Sequence, residues 1–175
     1  MQERTVLDWI TVISSLATPI LVLVLSAIFA SIGRRQEKLY ELQQKLQDDR
    51  IRVYDSILEP YIVMATPEEV LHKQERYREK TSGDAASEII TTPEYKQAEF
   101  RLFLMGSDEV VRAYNQLKQF YYSGVLDGSQ EATKEALTLI AKLVLAIRKS
   151  VGNEKTKISY RDAVWWFIKD ADKIL

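Results

Sequence analysis

The chain has 175 residues, 46% of them hydrophobic and 28% charged, with 24 Lys and Arg against 25 Asp and Glu. A formal net charge of −1 argues against broad, sequence-independent binding of duplex nucleic acid, which depends on an excess of positive charge. There is no cysteine and one histidine, His72, so a zinc site of the Cys/His type is excluded and no disulfide framework is available.

Residues 1–8, MQERTVLD, read as a short tail. From Trp9 to Gly33 there is no Asp, Glu, Lys, Arg or His. As a helix this stretch reaches roughly 37 Å, enough to cross a ~30 Å hydrocarbon core with some tilt. It is too long for the apolar part of a secretory leader, and its N-terminal flank is not basic. A transmembrane helix over 9–33 is expected. Arg4 stands alone before it, whereas Arg34, Arg35, Lys38, Lys45, Arg50 and Arg52 follow it. That asymmetry predicts an N-terminus outside and a C-terminal body in the cytoplasm. The absence of cysteine fits a reducing compartment.

On a helical projection Thr11, Ser15, Thr18, Val22, Ser26, Ala30 and Gly33 fall on one stripe, mostly small or hydroxylated, while Ile, Leu, Val and Phe occupy the other faces. Small and hydroxylated residues permit close helix approach and interhelical hydrogen bonds. The stripe reads as a helix interface or as the lining of a narrow pore. The bland alternative is a single anchoring helix with its hydroxyls bonded to its own backbone.

Residues 34–59 continue as a helical stalk. Leu39, Leu42, Leu46 and Val53 take a/d-like positions, with Asp49 as the polar exception. The row is a candidate oligomerisation seam, with a tetramer as the first expectation. One long helix from about Val6 to Leu58 is predicted, stopped or kinked by Pro60.

Residues 60–175 read as a helical bundle. Thr66, Pro67, Glu68 and Glu69 predict the capped start of a polar helix through ATPEEVLHKQERYREK. TSGDAASEII reads as a flexible loop. Thr92 and Pro93 repeat the start signal for an apolar helix with Tyr95, Phe100, Leu102, Phe103 and Leu104, ending at Gly106. Ser107 caps the next helix, which ends at Gly124, with Val110, Val111, Tyr114 and Leu117 toward the core. LDGSQ is a turn. Ser129 caps a helix to Val151, with Gly152 just beyond it. Ser159 and Asp162 form a capping box before AVWWFIKDADKIL, in which Trp165 and Trp166 point about 100° apart and cannot share one core. No segment alternates like a strand. The fold class is all-α.

Enzyme signatures are missing. The six glycines are scattered as caps and turns, not gathered into a phosphate loop, and one histidine on a polar helix builds no nucleophilic triad. Asp48-Asp49 and Glu68-Glu69 read as surface charge and first-turn charge. No cofactor and no metal is implied. An anionic ligand is the one chemistry the charges suggest: Arg148, Lys149, Lys155, Lys157 and Arg161 surround the Gly152-Asn153 turn, and Gly152 frees backbone N–H groups nearby. Arg112 is a further candidate for a ligand or a neighbouring subunit. The plainer reading is a solvated basic loop with cations at a helix C-terminus.

DDRIRVYDSILEPYI, GSDEVVRAYNQLKQFYY, LVLAIRKSVGNEKTK and WWFIKDADK together resemble a widespread group of bacterial single-span membrane proteins with a helical cytoplasmic domain. The plan is similar to that of the membrane effector of Hailong-type anti-phage defence. The resemblance implies an inner-membrane, homo-oligomeric channel held shut by a single-stranded DNA oligomer from a nucleotidyltransferase partner. Two function classes follow for this chain: a gated membrane effector, or a membrane-anchored, non-enzymatic adaptor that recruits a cytosolic partner.

Overall fold

The computed structural model describes residues 6–124 and 129–167. Within its helices the side chains of residues 6–8, 12–14, 16, 18, 166 and 167 also lie outside the description. Most of the tail at 1–8, most of the LDGSQ turn and the last part of the C-terminal segment therefore fall outside the described residues. So do the side chains of Thr18 and Trp166. All regular structure among the described residues is helical. The chain divides into two compact units, Met1–Lys45 and Leu46–Leu175. The division falls inside the stalk, not at either of its ends.

Helix α1 runs over Val6–Ala65, 60 residues, and contributes to both units. Its first part is long and apolar enough to cross a membrane, and none of that stretch is buried within the chain. Its last part is core. Val53, Tyr54, Ile57, Tyr61 and Val63 are all buried. Pro60 does not stop α1, contrary to the sequence expectation: the helix continues to Ala65. Proline removes the bond it would have donated to Ser56 and crowds that carbonyl, but Pro60 is itself fully buried beside Tyr61 and Val63. Packing on both sides of the proline outweighs the lost bond.

The polar helix expected after Thr66 is broken. Helix α2 is only Glu68–Leu71, followed by a 3-10 turn at Glu75–Tyr77. Thr66 does not cap it. Its hydroxyl donates back to the Ile62 carbonyl at 2.7 Å, closing the end of α1 instead. Leu71 and Tyr77 anchor this segment, six positions apart and off the helical repeat, so their burial favours the break.

Helix α3, Ser82–Thr91, stands where a loop was expected. The Thr81 hydroxyl accepts from the Asp84 N–H at 3.1 Å, and Ala85, Ala86 and Ile89 form its buried face. Helices α4 (Pro93–Met105) and α5 (Asp108–Tyr122) start at their expected caps, Thr92 and Ser107. So does α6 (Gln130–Ser150), capped by Ser129, and α7 (Tyr160–Phe167) begins at a Ser159–Asp162 box closed in both directions. Gly106 joins α4 to α5 where a Cβ would lie 2.5 Å from the Leu102 carbonyl oxygen, so only glycine fits.

The main core draws on α1 to α6. Ile57, Leu102, Leu117 and Leu143 meet there with essentially no exposure. Each such side chain stabilises the body by about 1.5–3 kcal/mol through removal from water. Helix α7 adds Ala163 and Val164 against Ala141 of α6.

Three α1 side chains reach from one flank into the joints of the body. The Gln47 amide donates to the Val151 carbonyl at 3.3 Å, and Arg50 Nε donates to the Met105 carbonyl at 2.5 Å. The Tyr54 hydroxyl accepts from the Ser107 N–H at 3.4 Å and is 2.8 Å from Ser150 Oγ. The α4–α5 joint and the end of α6 are thus fixed to one helix.

Candidate self-association and ligand-binding sites

The small-residue stripe lies wholly on helix, and Thr11, Ser15, Val22, Ser26, Ala30 and Gly33 are all exposed. They fall within a sector of roughly 120° on the projection, opposite Leu21 and Ile28. Those two are exposed as well. Every described side chain of this segment is exposed. The leucine row behaves differently along its length. Leu39, Leu42 and Leu46 are exposed, whereas Val53, on the same row, is buried in the body core. The body uses the lower end of the row and leaves its leucines uncovered.

Two of the basic residues near Gly152 have local surroundings of their own. Arg148 Nε donates to Thr156 Oγ1 at 3.1 Å. Lys149 lines a surface depression of about 450 Å³ with Ser107, Asp108, Glu109, Ser150 and Glu154. Three carboxylates beside one ammonium make that depression hostile to an anion. Arg112 lies one turn along α5 and pairs with Asp108 at 3.1 Å on the surface. Lys155, Lys157 and Arg161 are exposed and do not line the depression.

The backbone at this turn differs from the expectation too. Gly152 has φ +108°, as its residue type allows, but its N–H donates to the Lys149 carbonyl. The Asn153 N–H goes to the Arg148 carbonyl and the Thr156 N–H to the Asn153 carbonyl. The Ser159 N–H is taken by Asp162 at 2.8 Å. These amides close the loop on itself and do not point as a set toward a ligand. The side-chain charges of Lys155, Lys157 and Arg161 remain exposed to an anion.

A polar network inside the body was not visible in the sequence. Glu99 on α4 accepts from Tyr114 Oη at 2.5 Å and from Lys118 Nζ at 2.7 Å, both on α5, and from Lys96 Nζ at 3.2 Å. Tyr114 Oη is 3.3 Å from Tyr95 Oη, which donates to the Ile57 carbonyl of α1 at 3.5 Å. Burial pushes the Glu99 carboxyl up, but the hydrogen bonds from Lys118, Tyr114 and Lys96 outweigh it and hold it below its ordinary value. Burial, with neighbouring Tyr95 and the bond to Glu99, pushes the Tyr114 hydroxyl up, so it stays a donor. The pattern that could have revealed the network is Tyr95 and Glu99 four apart on one helix face.

Among the described residues, no group of three or more His, Asp and Glu is placed to hold a metal ion. No buried side-chain nitrogen or oxygen there lacks a partner. Compared with protein families, curated proteins and solved structures, the chain gives no match.

Proposed function

We propose that the chain is a homo-oligomeric membrane effector, a gated pore in the bacterial inner membrane. In this reading the first part of α1 crosses the bilayer with its N-terminus outside, and the helical body lies in the cytoplasm. Copies associate through the small-residue stripe and through Leu39, Leu42 and Leu46, with a tetramer as the first expectation. An anionic ligand at the body controls the pore. By resemblance to the Hailong-type effector, that ligand is a single-stranded DNA oligomer made by a nucleotidyltransferase partner. The body's part is binding and transmission, not catalysis.

One observation carries this reading. The charge-free segment and the leucines after it are continuous helix, and the described side chains of both are exposed. Lipid accounts for the cover of the first, but leucines beyond a span need other helices. The decisive measurement is the mass of the detergent-purified complex, followed by membrane potential in expressing cells. An oligomer whose expression without ligand collapses a voltage-sensitive dye signal supports the pore. Bulky apolar replacements at Ser15, Val22 and Ser26 are expected to restore the potential, while aliphatic exchanges at Leu21 or Ile28 leave the collapse unchanged. A monomer rules the pore out.

The alternative is a membrane-anchored adaptor. It is favoured by an uncovered apolar face on the body, formed by Phe100, Phe103 and Leu104 of α4. An oligomer that never changes the membrane potential, with or without its ligand, selects this reading.

A further inference from the structure

We propose that the outer face of α4, with the groove it forms against α1, is an interface between two copies of this chain. The proposal rests on the homo-oligomer reading and names a second contact for it, within the body.

The apolar part comes first. Phe100, Phe103 and Leu104 are 74%, 70% and 74% exposed, more than any other large apolar residue described in the body. Their spacing, i, i+3 and i+4, puts them on one face. Helix α4 turns Tyr95, Ala98 and Leu102 inward and leaves these three outside. One aromatic side chain offers ~150–250 Å². The three together expose roughly 400 Å² per copy, at the limit of what a monomer leaves open. Paired face to face they remove about 800 Å². A flanking surface is then needed to reach the ~1,200 Å² of a small stable interface.

The groove supplies that flank. Asp49, Arg52 and Ser56 of α1 face Glu94, Gln97 and Arg101 of α4 across a volume of about 490 Å³. It borders the apolar face along Gln97, Arg101 and Leu104. None of its four charged groups appears among the ion pairs of the described residues, which are Lys80–Glu88, Lys96–Glu99, Arg112–Asp108 and Lys118–Glu99. Two cations and two anions in one groove suit no ligand of single sign, because either sign meets two repelling groups. They do suit a second copy. In a two-fold contact residue i meets j while j meets i, so a surface of balanced charge can satisfy itself. Arginine of one copy against glutamate or aspartate of the other also gives bidentate geometry.

The chain has no cysteine, so single cysteines report contacts without background. The experiment uses the full chain in detergent and in lipid bilayers, with Phe100→Cys, Phe103→Cys or Leu104→Cys, and Glu131→Cys on exposed α6 as the control. Mild oxidation is expected to give covalent dimers from at least one α4 variant and none from the control. Arg52→Glu with Arg101→Glu in the Phe103→Cys chain is expected to abolish the cross-link. Mixing that chain with one carrying Asp49→Arg, Glu94→Arg and Phe103→Cys is expected to restore it. Circular dichroism checks that every variant keeps its helix. If the complex keeps its oligomeric mass and none of the three α4 cysteines cross-links, this interface is overturned while the homo-oligomer reading stands. A monomeric wild type overturns both. Cysteines that never cross-link, and are hidden from a water-soluble maleimide only in bilayers, assign the face to lipid and overturn the proposal. So does a cross-link indifferent to the charge reversal.

Discussion

Ile28 and Ile57 lie on the same helix, the first about half exposed and the second fully enclosed. Both are aliphatic, and both sit in unbroken α-helix. What differs is the source of cover. Ile57 is covered within a core that it shares with Tyr95 and Leu102 of α4 and Leu117 of α5. Around Ile28 every side chain from 19 to 33 is exposed. A helix of this length is therefore two objects in one: a core element that stabilises the body, and a surface whose apolar groups gain only when something outside the chain covers them.

The sharpest way to break that comparison is to truncate both residues. Ile57→Ala is expected to destabilise the body by about 2–5 kcal/mol, the cost of lost burial plus the cavity. Ile28→Ala is expected to leave body unfolding unchanged. Thermal melts in detergent, followed by circular dichroism, check both, and equal losses would dissolve the distinction.

Next comes the polar core. Glu99→Gln is expected to cost about 1.5–3 kcal/mol, because charge-assisted bonds to Lys118 and Tyr114 are lost inside the body. The sign with pH follows from the lowered carboxyl. A group held below its unfolded value, 4.5 here, contributes stability that is fully present above that value and is lost as pH falls through the folded value. The gap between wild type and Glu99→Gln should therefore be widest near neutrality and should narrow below pH 4.5. Denaturant titrations across that range read it out.

The leucines test the uncovered half. Replacing Leu39, Leu42 and Leu46 together with Asp is expected to reduce the mass of the detergent complex toward a monomer while shifting the body's melting little. Unchanged mass places the seam elsewhere. The smallest effect is expected at the basic loop. Neutralising Lys155, Lys157 and Arg161 should alter stability by no more than about 0.5 kcal/mol. It should still weaken binding of a fluorescent single-stranded DNA oligomer and flatten its dependence on salt. Affinity indifferent to the change removes this loop from ligand binding.

How much of this could be read in advance depends on the range of the signal. Thr92, Ser107, Ser129 and the Ser159–Asp162 box were legible because a cap is decided within four residues. The charge-free stretch was legible because composition alone marks it. Helix α3 was not, since its buried face is Ala85, Ala86 and Ile89, and alanines among Ser, Gly and Asp give little hydrophobic contrast. The run through Pro60 was hidden because tertiary packing overrides a local breaker. The facing of α4 was hidden for another reason. Its apolar residues and its tyrosine–glutamate pair both repeat helically, and only the neighbours decide which set goes inside. The bonding of the Gly152 and Asn153 amides back into the end of α6 was hidden because it depends on how the loop folds and not on which residues it holds.

Gln47, Arg50 and Tyr54 fix more than distance. They are spaced by three and four residues, so they leave α1 at nearly one azimuth, and each ends on a different part of the body: Val151, Met105, and the Ser107–Ser150 pair. Rolling α1 by a single residue swings all three through 100° and parts every one of these bonds together. Sliding it along its axis by one 1.5 Å rise keeps their heading but strains the same short bonds and the buried packing of Val53, Tyr54 and Ile57. The body therefore holds this part of α1 as a keyed shaft, locked against torsion and slip alike.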